Sequence, residues 1–250
     1  MKILAFDTST ERLSIAAGRV AVGGASICTH EGAGGAMASA TLIPAALALL
    51  AEAGLALREL DAIAFGAGPG SFTGLRTACA VAQGLGYGAG VPLLPVDTLL
   101  AVAEDARLAH APDGAPLQVV AVLDARMDEV YAARYAWDGA RWHRGGDWVV
   151  CPPEALAVRF GAAPGPGDVV AGNPFAAYGD RLLPGWPRLA AVPCATSLLR
   201  LAPALWADGR AVPPAEALPR YIRDKVAKTT DERAREKAAA EAAPPPSRLP

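Results

Sequence analysis

Apolar residues along this chain fall into short runs separated by turn-forming residues, the pattern of a mixed α/β fold. Three runs open the chain, at 2–7, 13–19 and 25–31, and they predict three neighbouring strands. From residue 39 the spacing becomes helical, and helices then alternate with strands. The predicted elements are a helix over 39–53, a strand over 62–66, a helix over 73–87, a strand over 92–96 and a helix from 98 to about 109, capped by Asp97 and Thr98.

The second half begins as the first does, with a buried strand that ends in an aspartate. Asp7 closes the first strand and Asp124 closes the strand predicted over 118–124, and this weak repeat indicates two related lobes of one topology. Strands over 130–137 and 142–150 follow, then helices near 153–160, 175–182 and 197–208. The predicted domains are an N-terminal lobe over 1–110, a C-terminal lobe over 117–224 and a disordered tail over 225–250, which is charged, rich in alanine and proline-terminated.

Two of the predicted helices carry more apolar surface than a single sheet can cover. The helix over 39–53 has two adjacent apolar stripes among alanines, which predicts burial nearly all round. The stripes are Leu42, Ala46, Leu49 and Ala53, and Ile43, Leu47 and Leu50. The helix over 73–87 presents Leu75, Cys79, Ala82 and Leu85, and its narrow parts contain Ala80, Gly84, Gly86 and Gly88. The surplus surface belongs either to a partner chain or beneath the second lobe.

Composition narrows the classes of function. The chain has 250 residues and a formal net charge of -2, so it has ample core and lacks the basic footprint of a free-standing nucleic-acid binder. Its four cysteines are far apart, which favours reduced thiols over a disulfide framework or zinc site. The apolar run over 38–57 is interrupted by Pro44, Glu52 and Gly54, so it is not expected to span a membrane. A cytoplasmic protein is expected.

A glycine-rich turn between the strand over 62–66 and the next helix is the most distinctive local motif. Its glycines, proline and Ser71 can bend the backbone tightly and cap a helix whose N–H groups would face a phosphate. It lacks the lysine with which a P-loop reaches a terminal phosphate, so a plain strand-to-helix turn remains the alternative.

Polar clusters follow the first strand of each half. Asp7, Thr8 and Ser9 could hold a phosphate and a metal-bound water, or form a turn that only closes the strand. Asp124 and Arg126 belong to the second cluster, in which Arg126 is the residue expected to meet an anion or a partner carboxylate, and a solvated hairpin is the alternative. The three histidines show no ligand spacing, and no metal site is predicted.

Four segments together resemble the TsaB family, also called YeaZ. They are ILAFDTST at 3–10, GPGSFTGLR at 68–76, DARMDEVY at 124–131 and PRYIR at 219–223. The resemblance extends over about residues 1–224, and the glycine-serine run is its most specific part. Its signature turn comprises Gly68, Pro69, Gly70, Ser71, Phe72, Thr73 and Gly74.

The resemblance implies two ribonuclease-H-like lobes of the actin-like ATPase and sugar kinase superfamily. It implies a non-catalytic scaffold for the bacterial tRNA threonylcarbamoyladenosine (t6A) modification complex, which binds and stabilises the catalytic subunit TsaD together with the ATPase TsaE. Self-association as a homodimer is implied when TsaD is absent, and tRNA is contacted only indirectly. No cofactor is required, although ATP or ADP at the partner interface is compatible with this role.

The resemblance also assigns the residues. Asp7, Thr8, Ser9, Asp124 and Arg126 become degenerate remnants of nucleotide loops, because the superfamily's glycine after the aspartate is missing from Asp7-Thr8-Ser9. The implied partner interface lies on the two over-apolar helices, at Leu42, Ala46, Leu49, Ala53, Arg76, Ala80 and Gly84. The stretch over 34–39 lacks the charged residues of many relatives, so pairing should depend on apolar packing. The alternative function is an ATP-dependent phosphotransferase or ATPase of the same superfamily.

Overall fold

A computed structural model describes residues 1–21, 24–111 and 114–223. The strands are β1 Lys2–Asp7, β2 Arg12–Ala21, β3 Gly24–Ala33, β4 Ala62–Gly68, β5 Leu93–Asp97, β6 Leu117–Arg126, β7 Glu129–Trp137, β8 Trp142–Arg144, β9 Val149–Cys151, β10 Asp168–Gly172 and β11 Arg188–Ala190. The helices are α1 Ala38–Glu52, α2 Phe72–Ala89, α3 Thr98–His110, α4 Leu156–Phe160, α5 Phe175–Tyr178 and α6 Ala195–Ala207. The predicted tail over 225–250 lies outside the described residues.

Two sheets share one topology, which confirms the repeat. In the first sheet the strand order is β3-β2-β1-β4-β5, with antiparallel pairing among β1, β2 and β3 and parallel pairing onward to β4 and β5. In the second, β7 pairs antiparallel with β6, β8 and β9, while β10 and β11 extend the sheet in parallel. Each lobe is therefore an antiparallel meander continued by two parallel strands.

An apolar cluster lies on each face of both sheets, which makes four clusters among the described residues. Helices α1 and α2 cover the outer face of the first sheet, and α6 covers its inner face. Helix α3 packs on the inner face of the second sheet, and the short helices α4 and α5 lie on its outer side. The two lobes thus exchange helices, because α3 follows the first sheet in sequence and α6 follows the second. The predicted domain bounds, 1–110 and 117–224, divide the chain by sequence position alone and therefore do not describe this exchange of helices.

Most of the predicted elements are present, with differences in the second half. The strand expected over 142–150 is two short strands, because Gly145 and Gly146 interrupt it and Gly146 has a φ of 120°. The helices expected near 153–160 and 175–182 shorten to α4 and α5, each accompanied by a 3-10 turn. Strands β10 and β11 had no prediction, although Val169-Val170-Ala171 is the short apolar run of a buried parallel strand.

Candidate functional site

The carboxyl ends of β1 and β6 meet at a cleft between the lobes. The cleft encloses about 320 Å³ and is bounded by the loop after β1, the turn before α2, the end of β6 and the last described segment of the chain. Ligands of open α/β sheets bind at this edge, so it is the first place to test the predicted nucleotide remnants. Of those residues, Ser9, Asp124 and Arg126 line the cleft.

Asp7 lies behind the wall of the cleft, fully buried. Its Oδ1 accepts hydrogen bonds from the backbone N–H of Ser9 (2.9 Å) and the Ser9 hydroxyl (2.7 Å), which is the turn-closing alternative considered from the sequence. Its Oδ2 has no hydrogen-bond partner among the described residues and lies where a Cβ on Gly66 would be. Asp7 is thus held by its own turn and does not reach the cleft.

This environment changes the acidity of Asp7. Its pKa is raised to about 7, mainly because burial desolvates the carboxyl; the hydrogen bonds from Ser9 oppose this shift, and the charge of the nearby Glu31 adds to it. A carboxyl with this pKa is partly protonated near neutrality, and a neutral carboxyl is a poor ligand for a metal ion bound to phosphate.

Thr8 is also used within the fold. Its hydroxyl donates to the carbonyl oxygen of Gly74 (2.7 Å), and a Cβ on Gly74 would overlap the Thr8 carbonyl oxygen. The backbone N–H of Ser71 donates to the Ser9 carbonyl oxygen (2.7 Å). The loop after β1 and the start of α2 are therefore in direct backbone contact.

The signature turn has a structural role that its sequence only partly indicated. Ser71 occupies the position before α2, but its side chain makes no capping hydrogen bond, so the predicted hydroxyl cap is wrong. The Gly68–Pro69 peptide bond is cis, and the hydroxyl of Thr98 donates to the Pro69 carbonyl oxygen. Since Gly74 permits the close contact with Thr8, the turn joins β1, α2 and α3 into one rigid corner.

Across the cleft, Arg126 joins the lobes. Its guanidinium is 2.6 Å from a carboxylate oxygen of Glu11 and 3.4 Å from one of Asp124. Asp124 also accepts a hydrogen bond from the Tyr178 hydroxyl (2.9 Å). The Arg126 and Glu11 side chains are mostly exposed, so this ion pair orients the lobes with little net stabilisation. The carboxylates that pair with Arg126 are thus Glu11 and Asp124 of the same chain.

The segment 219–223 forms the remaining wall and touches both lobes. The Arg220 backbone N–H donates to Ala67 in the first lobe (2.6 Å), and Arg223 forms an ion pair with Glu129 in the second. Tyr221 stacks on Phe72 with 5.2 Å between ring centroids. We call residues 219–223 the strap. In the sequence this segment stood out only as a family motif. Its alternation of basic and aromatic residues is the signal that could have placed it in the cleft.

A buried polar cluster beside the strap fixes the lobes further. The Asp97 carboxylate accepts hydrogen bonds from Tyr135 (2.6 Å) and Trp148 (2.8 Å) of the second lobe and from the N–H of Leu99 (3.0 Å). The last bond confirms the predicted helix cap. Burial raises the pKa of Asp97, whereas these hydrogen bonds and the charge of Arg220 lower it. Sequence patterns gave no indication that Asp97 joins the two lobes.

The outer face of α1 and α2 is the second candidate surface. The structure corrects the stripe chosen for the interface on α1, because Leu42, Ala46 and Leu49 are buried in the core of the first lobe and Ala53 packs against it. The prediction of burial nearly all round is also wrong for the chain alone. Ile43 and Leu47, on the adjacent stripe, are 40% and 46% exposed. Because alanines fill both sides of this helix, the sequence pattern could not decide which side faces the sheet.

On α2 the predicted interface residues are accessible. Arg76, Ala80 and Gly84 are all exposed, and the neighbouring Tyr87 is 63% exposed. A Cβ on Gly84 or Gly88 would meet nothing within 4 Å. The chain's own packing therefore does not require glycine at either position, although each glycine costs about 1 kcal/mol of helix propensity relative to alanine.

Among the described residues there is neither a metal-binding cluster nor a membrane-spanning helix. No cluster of three or more histidine, cysteine, aspartate or glutamate side chains there is arranged to hold a metal ion. In that same part of the chain, no helix is both long and apolar enough to cross a membrane.

The paired lobes and their common strand order define a protein of the actin-like ATPase and sugar kinase superfamily. The family model described as TsaD, tRNA N6-adenosine threonylcarbamoyltransferase, matches residues 36–167, just over half of the chain. The tRNA threonylcarbamoyladenosine biosynthesis protein TsaB of Escherichia coli (strain K12) is 34% identical over 91% of this chain and 96% of its own length. YeaZ from Pseudomonas aeruginosa is 39% identical, with a TM-score of 0.74 over 88% of this chain and 99% of that chain. The chain belongs to the TsaB (YeaZ) family.

The burial of Asp7 predicts an unusual dependence of stability on pH. Below about pH 4 the carboxyl is protonated in both the folded and unfolded states, and it then contributes no pH dependence. Between about pH 4 and 7 the folded protein retains a proton that the unfolded chain releases, so this group lowers the free energy of unfolding as the pH rises. Asp7→Asn should remove this loss and should be more stable than the wild type at pH 8, by about 2 kcal/mol or more.

Urea unfolding of both proteins between pH 4.5 and pH 8 measures the difference. Glu52→Gln, at an exposed carboxylate of the same lobe, is the control for the loss of one negative charge. An Asp7→Asn difference that does not grow with pH would contradict a raised pKa for Asp7.

The two glycine environments on α2 predict opposite effects of one substitution. Gly74→Ala should lower the free energy of unfolding by about 1–3 kcal/mol, because the new methyl group overlaps the Thr8 carbonyl oxygen. Gly84→Ala should raise it by up to about 1 kcal/mol, because the methyl group meets open space. Chemical unfolding at concentrations where the chain sediments as a monomer measures both, and effects of the same sign would show that the backbone contact is not the cause.

Proposed function

We propose that this chain is a non-catalytic subunit of a bacterial complex that makes threonylcarbamoyladenosine in tRNA, and that it binds and stabilises the catalytic subunit TsaD together with TsaE. The proposal depends on one observation, the exposed apolar composition of the outer face of α1 and α2. It combines exposed Ile43 and Leu47 with glycines that the chain's own packing leaves open. The names of the relatives in Escherichia coli and Haemophilus influenzae support the pathway.

The composition of this face suits close packing of helices. Exposed apolar side chains at the surface of a folded lobe favour association with another chain. Small residues at Ala80, Gly84 and Gly88 lower the surface of α2, so a partner helix could approach the backbone. Apolar packing at short distance would then supply the binding energy, as expected from the uncharged entry to α1.

A role without catalysis is supported by the use of the nucleotide remnants inside the fold. The Asp7 carboxyl is hydrogen-bonded within its own turn, and the Thr8 hydroxyl is hydrogen-bonded to α2. Arg126 forms ion pairs with Glu11 and Asp124. An ATP-dependent phosphotransferase would need Asp7 at the cleft, whereas here its position behind Gly66 works against that alternative. We therefore place the chemistry in the partner.

If the partner carries out the chemistry, four further properties are expected of this chain. The chain would need no resident cofactor, and ATP or ADP in the assembly would lie at the boundary with the partner. The same outer face would allow a homodimer when TsaD is absent. The tRNA would be contacted mainly by other subunits, since the formal net charge of this chain is -2. Such a complex would work in the cytoplasm.

Leu47→Asp tests the proposed face with little risk to the fold. The side chain is 46% exposed, so a charge there should leave the melting temperature within about 2 °C of the wild type, while binding to TsaD weakens at least about tenfold. Val158→Asp is the matched control, because Val158 is 91% exposed on the second lobe, and it should bind as the wild type does. Titration calorimetry with purified TsaD gives both affinities.

In a reaction with TsaD, TsaE and TsaC, the enzyme that makes the threonylcarbamoyl adenylate in this family, formation of threonylcarbamoyladenosine should fall in parallel when Leu47→Asp replaces the wild-type chain. If Leu47→Asp binds TsaD normally, the proposed interface is wrong. If the wild-type chain neither binds TsaD nor supports the modification, the proposed function is wrong as well. Substitutions at Leu49 or Ala82 would not make this distinction, because both residues are buried in the core.

Gly84→Leu separates apolar attraction from close approach. The substitution adds apolar surface at an open position, so it would strengthen a contact that depends on hydrophobicity alone. If a partner helix packs against the backbone at Gly84, the added bulk should instead weaken binding by about tenfold or more. Arg58→Leu, at an exposed site outside these helices, is the control. Unchanged or tighter binding of Gly84→Leu to TsaD would exclude close packing there.

A further inference from the structure

A second cavity lies between the lobes at the edge opposite the cleft. The start of β1 pairs with the end of β2, at Lys2 and Arg19, and the start of β6 pairs with the end of β7, at Leu117 and Trp137. The cavity is bounded by the ends of β2 and β7, so it lies at the amino edge of both leading strands. It encloses about 510 Å³, more than the cleft, and helices α3 and α6 form its sides.

The floor of this cavity is a largely buried, hydrogen-bonded polar cluster. Glu104 and Arg107 form an ion pair of 2.7 Å, with side chains 5% and 12% exposed. The second oxygen of Glu104 accepts hydrogen bonds from Arg107 Nε (2.7 Å) and Trp142 Nε1 (2.9 Å). The Arg107 guanidinium also lies 4.5 Å from the ring centroid of Trp137. Both oxygens of the carboxylate are thus already engaged, so the floor offers a ligand little acceptor capacity.

The walls are apolar and aromatic. The rings of Trp137 and Trp142 are 5.4 Å apart and tilted by 56°, so both indoles border the space. Aliphatic side chains complete the walls, and they are Val20, Leu100, Leu201, Pro203 and Leu205, with the smaller Ala21, Ala25, Ala140 and Ala204. A planar apolar group would make extensive contact with such walls.

The charges at the rim leave one cation in excess. Arg141 is 3.0 Å from Asp208 in an exposed ion pair. Arg200, on α6, is exposed and forms no ion pair with another described residue. Since Glu104 balances Arg107 and Asp208 balances Arg141, Arg200 remains to attract an anionic group at the mouth of the cavity.

We propose that this amino-edge cavity binds a small molecule that has a planar apolar body and one anionic group. Its volume lies in the range of about 300–1,000 Å³ typical of small-molecule sites, and such sites are common between lobes. The apolar body lies against Trp137 and Trp142, and the anion faces Arg200. The site is independent of the outer face of α1 and α2, and the proposal does not depend on the proposed function.

Two fluorescent probes of matched shape test the site on the full chain. The anionic probe is 8-anilinonaphthalene-1-sulfonate, and N-phenyl-1-naphthylamine is its uncharged counterpart. The wild type should bind one equivalent of the sulfonate saturably, with quenching of tryptophan emission. Arg200→Gln should weaken the sulfonate by about two- to fivefold and leave the uncharged probe unchanged.

Two substitutions fill the cavity from opposite walls. Ala204→Trp on α6 and Ala25→Trp on β3 both start from exposed alanines that line the cavity, so each should fold and each should weaken both probes by about tenfold or more. Ala177→Trp, at an exposed alanine of α5 outside the lining, is the matched control and should bind as the wild type does. Circular dichroism and melting temperature verify the fold of each variant.

The outcomes are distinguishable from binding elsewhere. If the wild type shows no saturable binding, or if both filling variants bind the sulfonate as the wild type does, the proposal is overturned. Loss of binding in Leu47→Asp, with the filling variants unaffected, would place the probe on the outer face of α1 and α2 and would also overturn it. An Arg200→Gln effect of equal size on both probes would contradict the assignment of the anionic group.

Discussion

The backbone contact between the end of β1 and the beginning of α2 organises the first lobe and its cleft. The Thr8 hydroxyl donates to the carbonyl oxygen of Gly74, and the backbone N–H of Ser71 donates to that of Ser9. Only glycine at position 74 leaves room for the Thr8 carbonyl oxygen. This contact holds the start of α2 against the loop after β1, at the edge of the cleft. One packing constraint thereby sets both the position of the exposed helix and the character of the cleft.

The relation between the lobes depends on a different set of interactions. Helices α3 and α6 each pack on the sheet of the other half of the chain, so neither lobe has a complete inner layer without the other. Asp97 links them through Tyr135 and Trp148, and the strap over 219–223 crosses the cleft to contact both. The carboxyl-edge cleft is crossed by the ion pair of Arg126 with Glu11, whereas the ion pairs of the amino-edge cavity lie at its floor and its rim. The two interlobe spaces therefore differ in what they can still bind.

Local signals in the sequence gave much of the fold. Strands β1, β4, β6 and β7 and helices α1, α2, α3 and α6 lie within a few residues of their predicted bounds, because each has a long periodic run or a clear cap. Strands β10 and β11 and the break between β8 and β9 were missed, since strands of three to five residues contain too few alternations to be read from periodicity. Of the residues predicted as nucleotide-loop remnants, Ser9, Asp124 and Arg126 line the cleft, whereas Asp7 and Thr8 face inward. The contribution of Glu11 and of the strap to the cleft was not foreseen.

The sequence by itself indicated the repeat of two lobes, through the pattern of strands that end in aspartate, and the family, through four local motifs; the superfamily followed from that resemblance. Only the tertiary structure decided which side of α1 faces outward, where the Asp7 carboxyl points and which residues join the lobes. An alanine-rich helix has apolar residues on every side, so its orientation is set by the shape of the sheet beneath it and not by its own pattern. Likewise, an aspartate at a strand end has the same sequence whether it faces solvent or the interior, and the close approach of Gly66 and Gly74 to the loop after β1 is what places it inside.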